Sequence, residues 1–535
     1  MGFEFSYEFV LAVLSFGMLI SACIEVGSND AANLVNAVFG ARILKRNRAV
    51  LLAGIFVVFG ASFASPVMNT VRKGLFDPEE LSVAGAMAVF LTTYLVNTVL
   101  LYGYSGYGLP ISTTATLIFS LAGAAVGVSG GLDILHMATM YKVIGAIFIS
   151  VVMSGVAAFL AQRIFRGAMG KNVQDHGLVL LHGPWISGLI LVSLSWFMIV
   201  KGMKAIPLVK ELRGQLFDMF GVGGFLILLW ASFAFVIYMV LLTLGKRASS
   251  HLFHFTAVLG MICMAFAFGQ NDLANCASPG LAIWMLFSQG LEGSHMDIPV
   301  WTLVACGILL FLGMNTKRAQ RVTRAEINTA SQHSKVKLYA PQWCIRLAEI
   351  LLYRKARGSL SQAKQTRLQT PKQERDEEGK KVHYDTLRAS VILAVSASVI
   401  ALASGLGLPV STTYVCFASV IATGWGDRVF DRGRAELKVG RALWVLTSWF
   451  MGAAIATAAS AVVACILFQW KWFGLLVGLA LNLWLRLYFK KNGDAHEAQY
   501  HSKKKRVRKY RQQLAATGYP RESEVSPPAL LADGS

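Results

Sequence analysis

Gly27-Ser28-Asn29-Asp30-Ala31-Ala32-Asn33 recurs in this chain as Gly269-Gln270-Asn271-Asp272-Leu273-Ala274-Asn275, each copy set in apolar surroundings. A carboxylate inside a membrane-length apolar segment is costly and is kept for function far more often than for packing. On a helix, Asn29 and Asn33 stand one turn apart on one face with Asp30 alongside, and Asn271, Asp272 and Asn275 repeat that geometry. Two amide oxygens and a carboxylate form a hard-oxygen set suited to a small cation such as Na⁺, and the carboxylate could equally carry a proton. Helix capping by Asn or Asp would account for one copy. Two copies in the same order argue for two related halves that build one polar site between them.

A second pair of blocks has complementary chemistry. Ser105-Gly106-Tyr107-Gly108-Leu109-Pro110-Ile111-Ser112-Thr113-Thr114 returns as Ser404-Gly405-Leu406-Gly407-Leu408-Pro409-Val410-Ser411-Thr412-Thr413. Gly-Leu-Pro breaks a helix, and the hydroxyl run after it opens a new one. A helix N-terminus presents free N–H groups and the positive end of a dipole, so it attracts anions, and hydroxyls add donors without adding charge. Two such N-termini facing each other from inverted halves would cradle a tetrahedral oxyanion. Asp30 and Asp272 would repel that anion until a cation or proton neutralised them, which is the linkage a symporter needs. Glu25 is a further intramembrane carboxylate, with a place in the cation path or snorkelling into a cavity as equal readings.

The elements that must position these residues are membrane helices. Of 535 residues, 55% are hydrophobic and only 15% charged, against roughly 25% charged in soluble proteins, and the charges fall in short stretches between apolar runs of membrane length. Apolar segments lie at about 5–24, 50–68, 82–104, 112–129, 139–162, 179–200, 219–244, 252–268, 277–290, 298–314, 388–403, 411–425, 440–468 and 472–489. Some are too short to cross alone, and 277–290 and 411–425 read as half-helices. Glycines 27, 108, 269 and 407 mark expected helix breaks, each at membrane depth and therefore lining a cavity or buried in protein. The expected fold is an all-α integral membrane protein of two inverted repeats with broken helices and about 12 transmembrane segments.

Four regions follow. Residues 1–314 hold the first repeat and the start of the second, 315–387 form a hydrophilic cytoplasmic loop, 388–489 complete the second repeat and the C-terminal helices, and 490–535 form a basic cytoplasmic tail. The loop accounts for the unequal spacing of the blocks, 81 residues from Gly27 to Gly108 but 138 from Gly269 to Gly407. The net charge of +21 sits in loops and in the tail, where Lys503-Lys504-Lys505-Arg506 leads a run that suits anionic lipid rather than nucleic acid. No Cys-x-x-Cys pair occurs among the seven cysteines, so they read as small buried residues. The first apolar run lacks a basic leader and continues into the Asn-Asp block, unlike a cleaved signal. No phosphate-binding Gly-rich loop, nucleophile triad or metal-ligand pattern is present, so the chain reads as neither ATP-driven nor an enzyme, and it implies no cofactor beyond the coupling cation.

These residues resemble the inorganic phosphate transporter (PiT) family of secondary carriers, whose hallmark is a Gly-x-Asn-Asp-x-x-Asn block in each half, here Gly27–Asn33 and Gly269–Asn275. The blocks at 108–114 and 407–413, Gly40-Ala41-Arg42 and the central hydrophilic loop fit the same likeness, which covers about residues 8–468. The resemblance implies two inverted repeats, a site near the bilayer midplane, and phosphate carried with Na⁺ or H⁺ or as a metal–phosphate complex. It assigns phosphate binding to Asn29, Ser112, Thr113, Thr114, Asn271, Ser411, Thr412 and Thr413, and cation binding to Asp30, Asn33, Asp272 and Asn275. Val35-Asn36, Cys276-Ala277-Ser278, Ala115 and Tyr414 depart from common family residues and leave the coupling ion and the choice among oxyanions open. The expected function is cation-coupled phosphate import across a bacterial cytoplasmic membrane, with a homo-oligomer compatible with the sequence. A sulfate or other oxyanion permease of this architecture and a phosphate-binding membrane receptor are the alternatives.

Overall fold

The breaks in the chain decide its architecture. The computed structural model describes residues 6–170, 172–204, 206–291, 298–329, 339–355, 382–431 and 435–516. Among them the helices are α1 (Tyr7–Gly40), α2 (Arg46–Ala61), α3 (Ser65–Lys73), α4 (Val83–Gly106), α5 (Thr113–Ser129), α6 (Met137–Met169), α7 (His176–Ser195), α8 (Pro207–Gln289), α9 (Val300–Met314), α10 (Lys317–Thr329), α11 (Gln342–Lys355), α12 (Thr386–Gly405), α13 (Thr412–Gly426) and α14 (Ala435–Ala516). A straight 83-residue helix would run about 125 Å, several times the hydrocarbon thickness. Instead α8 breaks at Gly221 (φ 64°) and Gly245 (φ 58°), and α14 breaks at Lys471 (φ 39°). Seven helices are long and apolar enough to cross a membrane, or eight if the α2–α3 pair, bent by 65°, counts as one span. The protein is a multi-pass membrane protein.

Surface chemistry separates outer helices from inner ones. Ile227, Phe235, Val236 and Leu244 of α8 are exposed, as are Phe148, Val152 and Ile164 of α6. Apolar faces of this kind are stable against lipid tails. By contrast α4 and α12 are buried along nearly their whole length. The order of elements repeats: a helix bearing an Asn-Asp block, short helices (α2 and α3 in the first half, α9 to α11 in the second), a buried helix, a Gly-Leu-Pro turn and a helix opened by Ser-Thr-Thr.

Gly27 and Gly269, expected to break helices, do not. Both sit in continuous helix, and so 252–268 and 277–290 are parts of one segment rather than separate pieces. Their reason is close packing. A methyl group at Gly27 would stand 2.0 Å from the Leu310 carbonyl oxygen of α9, and one at Gly269 would stand 2.1 Å from the Val57 carbonyl oxygen of α2. The partner helices return the favour through Gly313 against Ile24 (2.1 Å) and Gly60 against Phe266 (2.0 Å). Small residues that let backbones touch are the usual means of helix association in lipid. Each Asn-Asp helix is thus locked to a short helix of the other half.

The predicted turns at Gly108 (φ 65°) and Gly407 (φ 72°) are present, in the left-handed region where glycine carries no Cβ penalty. Part of the 315–387 stretch is helical: α10 runs along α1 and α11 packs on α14. Loop residues 330–338 and 356–381 and the tail residues 517–535 lie outside the described residues. Arg166 of α6 ties the Asp427 end of α13 (2.8 Å) to Asp385, which caps α12.

Candidate oxyanion and cation site

The two Gly-Leu-Pro turns put the starts of α5 and α13 at the same depth as the Asn-Asp blocks. Ser112 and Ser411 cap these helices, accepting from the backbone N–H of Ala115 (3.0 Å) and Tyr414 (3.1 Å). Capping occupies one lone pair of each serine and leaves its hydroxyl proton to donate. Residues 113 and 114, and 412 and 413, follow in the first helical turn, all buried.

Each Asn-Asp block is held first by its own half. Asn29 donates to the Ile111 carbonyl (2.9 Å), and Asn271 donates to the equivalent Val410 carbonyl (2.6 Å). Ser105 donates to Asn29 Oδ1 (3.1 Å), and Ser404 to Asn271 Oδ1 (3.4 Å). The second amide of each block crosses to the other half. Asn33 donates to Thr413 Oγ1 (3.2 Å), and Asn275 donates to Thr114 Oγ1 (2.9 Å). Thr114 donates in turn to the Val410 carbonyl (3.0 Å). Nine of the twelve residues proposed from sequence therefore fall in one connected cluster spanning both halves, and Ser112 and Ser411 cap the two helices that enter it. Thr412, the twelfth, flanks Asp272.

The carboxylates are not equivalent. Asp30 receives Asn29 (2.9 Å), Asn33 (3.2 Å), Thr113 (3.0 Å) and Thr413 (2.8 Å). Asp272 receives Asn275 at 2.5 Å and lies 3.3 Å from Thr113 Oγ1. Thr113 has one proton and faces both carboxylates, so it satisfies one at a time. Asp272 Oδ2, Asn275 Oδ1 and Thr412 Oγ1 are buried oxygens without a hydrogen-bond partner among the described residues. Buried polar atoms in native proteins almost always have partners. Carboxylate, amide and hydroxyl oxygens are ligand types that suit a hard cation.

Ser105, Ser404 and the carbonyls of Ile111 and Val410 are site groups that the chemistry-led reading of the sequence passed over. The serines could have been found, since each opens its repeated block. The carbonyls could not, because backbone orientation after a break is a matter of fold. Gln270, which stands where the first block has Ser28, donates to the Gly202 carbonyl (3.1 Å) instead of meeting a hydroxyl as Ser28 meets Thr316 (2.6 Å). Glu25 is buried and pairs with Arg486 of the C-terminal segment, with Ser21 donating to the same oxygen (3.1 Å). It takes no part in the hydrogen bonds around Asp30.

A profile described as the phosphate transporter family matches residues 26–325 and 378–460, most of the chain. The chain belongs to that family. Among curated relatives it is 24% identical over 470 residues to a Pyrococcus horikoshii protein named "Putative phosphate permease", covering 85% of this chain and 96% of that one. A Haemophilus influenzae protein of the same name is 22% identical, with 83% and 92% covered. Among solved structures, one titled "The sodium-dependent phosphate transporter" superposes with a TM-score of 0.62 at 20% identity, over 86% of this chain and 99% of that one. At that identity the likeness shows a shared fold. The family is one of transporters rather than enzymes.

Proposed function

We propose that this chain is a secondary carrier that moves inorganic phosphate across the membrane together with Na⁺. The observation that carries the reading is the shared hydrogen-bonded cluster: Thr113 and Thr413, on the helix starts suited to an oxyanion, bond directly to Asp30, and Thr113 also faces Asp272. In this reading phosphate lies between the N-termini of α5 and α13, with donors from Thr113, Thr114, Thr412, Thr413, Ser112 and Ser411 and help from Asn29 and Asn271. Asp30, Asn33, Asp272 and Asn275 hold the cation. Na⁺ is favoured over H⁺ because amide and hydroxyl oxygens accompany the carboxylates, and a proton needs none of them. Cation occupancy removes the negative charge facing the anion, so each ligand raises the affinity for the other.

The same reading makes the two halves inverted repeats, with about 12 crossings and alternating exposure of one site. It places the 315–387 segment and the basic tail on the cytoplasmic side, following the excess of Lys and Arg there, with the tail against anionic lipid. The test is ³²P-phosphate uptake into proteoliposomes holding the purified protein, under separately imposed Na⁺ and H⁺ gradients. Concentrative uptake driven by Na⁺ is expected. Uptake driven only by H⁺ would reassign the ion. Uptake abolished by a modest excess of sulfate would reassign the anion, and saturable binding without net uptake would make the protein a receptor.

A further inference from the structure

Arg441 lies near the start of α14 and is 5% exposed. Its guanidinium donates to two neutral acceptors, the carbonyl oxygens of Gly108 (3.2 Å) and Tyr339 (3.1 Å). Its Nε is buried with no partner, and no carboxylate among the described residues pairs with it. Arg166 and Arg486 by contrast are paired with carboxylates, Asp385 and Asp427 for the first and Glu25 for the second, while buried Arg72 and Arg388 bond to the side chains of Asn69 and Thr423, which Arg441 does not. A buried cation is expensive unless a counter-charge and full hydrogen bonding offset its lost hydration. Arg441 meets neither condition.

Its position gives the missing charge a source. Gly108 begins the Gly-Leu-Pro-Ile-Ser run, and the next carbonyls of that extended stretch are also spoken for, Pro110 by Trp449 of α14 (3.3 Å) and Ile111 by Asn29 (2.9 Å). Arg441 therefore stands at the head of the strand that leads to Ser112 and Thr113, about four residues or on the order of 10–13 Å of chain from them. The second half has no arginine at the matching place, and its cation, Lys204, donates two residues earlier, to the Gly405 carbonyl. The Gly407 carbonyl itself accepts from the Thr70 hydroxyl (2.6 Å). Arginine presents a planar fork that matches a tetrahedral oxyanion in a bidentate manner. Two carbonyl acceptors carry only partial charge and would yield to a full anion.

We propose that Arg441 is an anion-binding residue on the substrate path, a way-station that takes the phosphate from its two carbonyl partners before the anion reaches the α5 and α13 N-termini. The inference rests on the phosphate-carrier reading above and adds to it a buried basic group beside the first Gly-Leu-Pro turn. The approach beside α14 and the Tyr339 segment then attracts the anion through a guanidinium fork, whereas the second turn has the Thr70 hydroxyl on Gly407 and the Lys204 ammonium on Gly405.

The test compares Arg441→Gln and Arg441→Lys with the unaltered protein in Na⁺-driven phosphate uptake. Arg441→Gln is expected to raise the phosphate KM about 10-fold or more, with the maximal rate and the half-saturating Na⁺ concentration changed less than 2-fold. Arg441→Lys, which keeps the charge but loses the fork, should recover part of the loss. Phosphate-dependent thermal stabilisation of the detergent-solubilised variants reads binding apart from turnover, and it should shift to higher phosphate concentration in Arg441→Gln. An unchanged KM in either folded variant, or a loss confined to maximal rate and melting temperature, would mean that Arg441 only props up the Gly108 turn, with the carrier reading intact. Failure of the unaltered protein to move phosphate would sink the carrier reading itself.

Discussion

Replacing Asp272 with Asn leaves shape almost unchanged and removes one of two facing charges. Thr113 Oγ1 reaches Asp30 Oδ2 at 3.0 Å and Asp272 Oδ1 at 3.3 Å, so those carboxylate oxygens stand no more than about 6 Å apart. With both groups ionised, at an effective dielectric constant of about 20, their repulsion is at least roughly 2.7 kcal/mol. The first cation to bind gains that energy by relieving the repulsion. In Asp272→Asn no repulsion remains to relieve, so the cation affinity left at Asp30 should fall by about 100-fold. The asparagine can still accept from Asn275, whose bond to Asp272 Oδ1 is 2.5 Å in the unaltered protein, and so the fold should hold. Phosphate faces one carboxylate fewer, and its binding without cation should tighten. The assay is proteoliposome uptake as a function of external Na⁺, combined with reversal potentials for the ion-to-phosphate ratio. Half-saturation should rise by about two orders of magnitude and the ratio should drop by one. An unchanged half-saturation with an unchanged ratio would refute the placing of the cation between these carboxylates.

Gly27→Ala and Gly269→Ala each drive a methyl group into a backbone carbonyl, which no rotamer change can relieve. Each should destabilise by about 1–3 kcal/mol or more, read as a lowered melting temperature in detergent, with Gly17→Ala, which meets open space, as the neutral control. Ser112→Ala and Ser411→Ala remove helix caps worth about 1 kcal/mol each, and should raise the phosphate KM more than the Na⁺ requirement. Arg166→Ala strands Asp385 and Asp427 in a largely buried setting, with an expected cost of about 3 kcal/mol. Denaturation of the variant should show it, and Asp427→Asn in the same background should return part of the loss.

The membrane class was legible in the sequence because it rests on composition, and the candidate site residues stood out because they are rare types in such surroundings. Costly groups such as Asp30 and Asp272 stand out against apolar surroundings, and their repetition in Gly27–Asn33 and Gly269–Asn275 removes most chance explanations. The helix breaks at Gly108 and Gly407 were legible for a local reason: Pro forbids the helix, and the following serine caps the next one. Gly27 and Gly269 carried the same letter with the opposite meaning. A glycine lets a backbone break and equally lets two helices touch, and only the neighbouring carbonyls of Leu310 and Val57 decide which.

The tertiary structure alone decided how the two halves meet. Sequence repetition says that Asn33 and Asn275 are equivalent, but not that each reaches across to a threonine of the opposite half, Thr413 and Thr114. It gave equal weight to two carboxylates that differ once folded, Asp30 with four donors and Asp272 with an oxygen left over. It also gave no hint of the partner Glu25 takes, Arg486, some 460 residues along the chain. These are non-local contacts. Periodicity and residue type fix what a segment can form by itself, whereas partners hundreds of residues apart are chosen by which helix faces pack together.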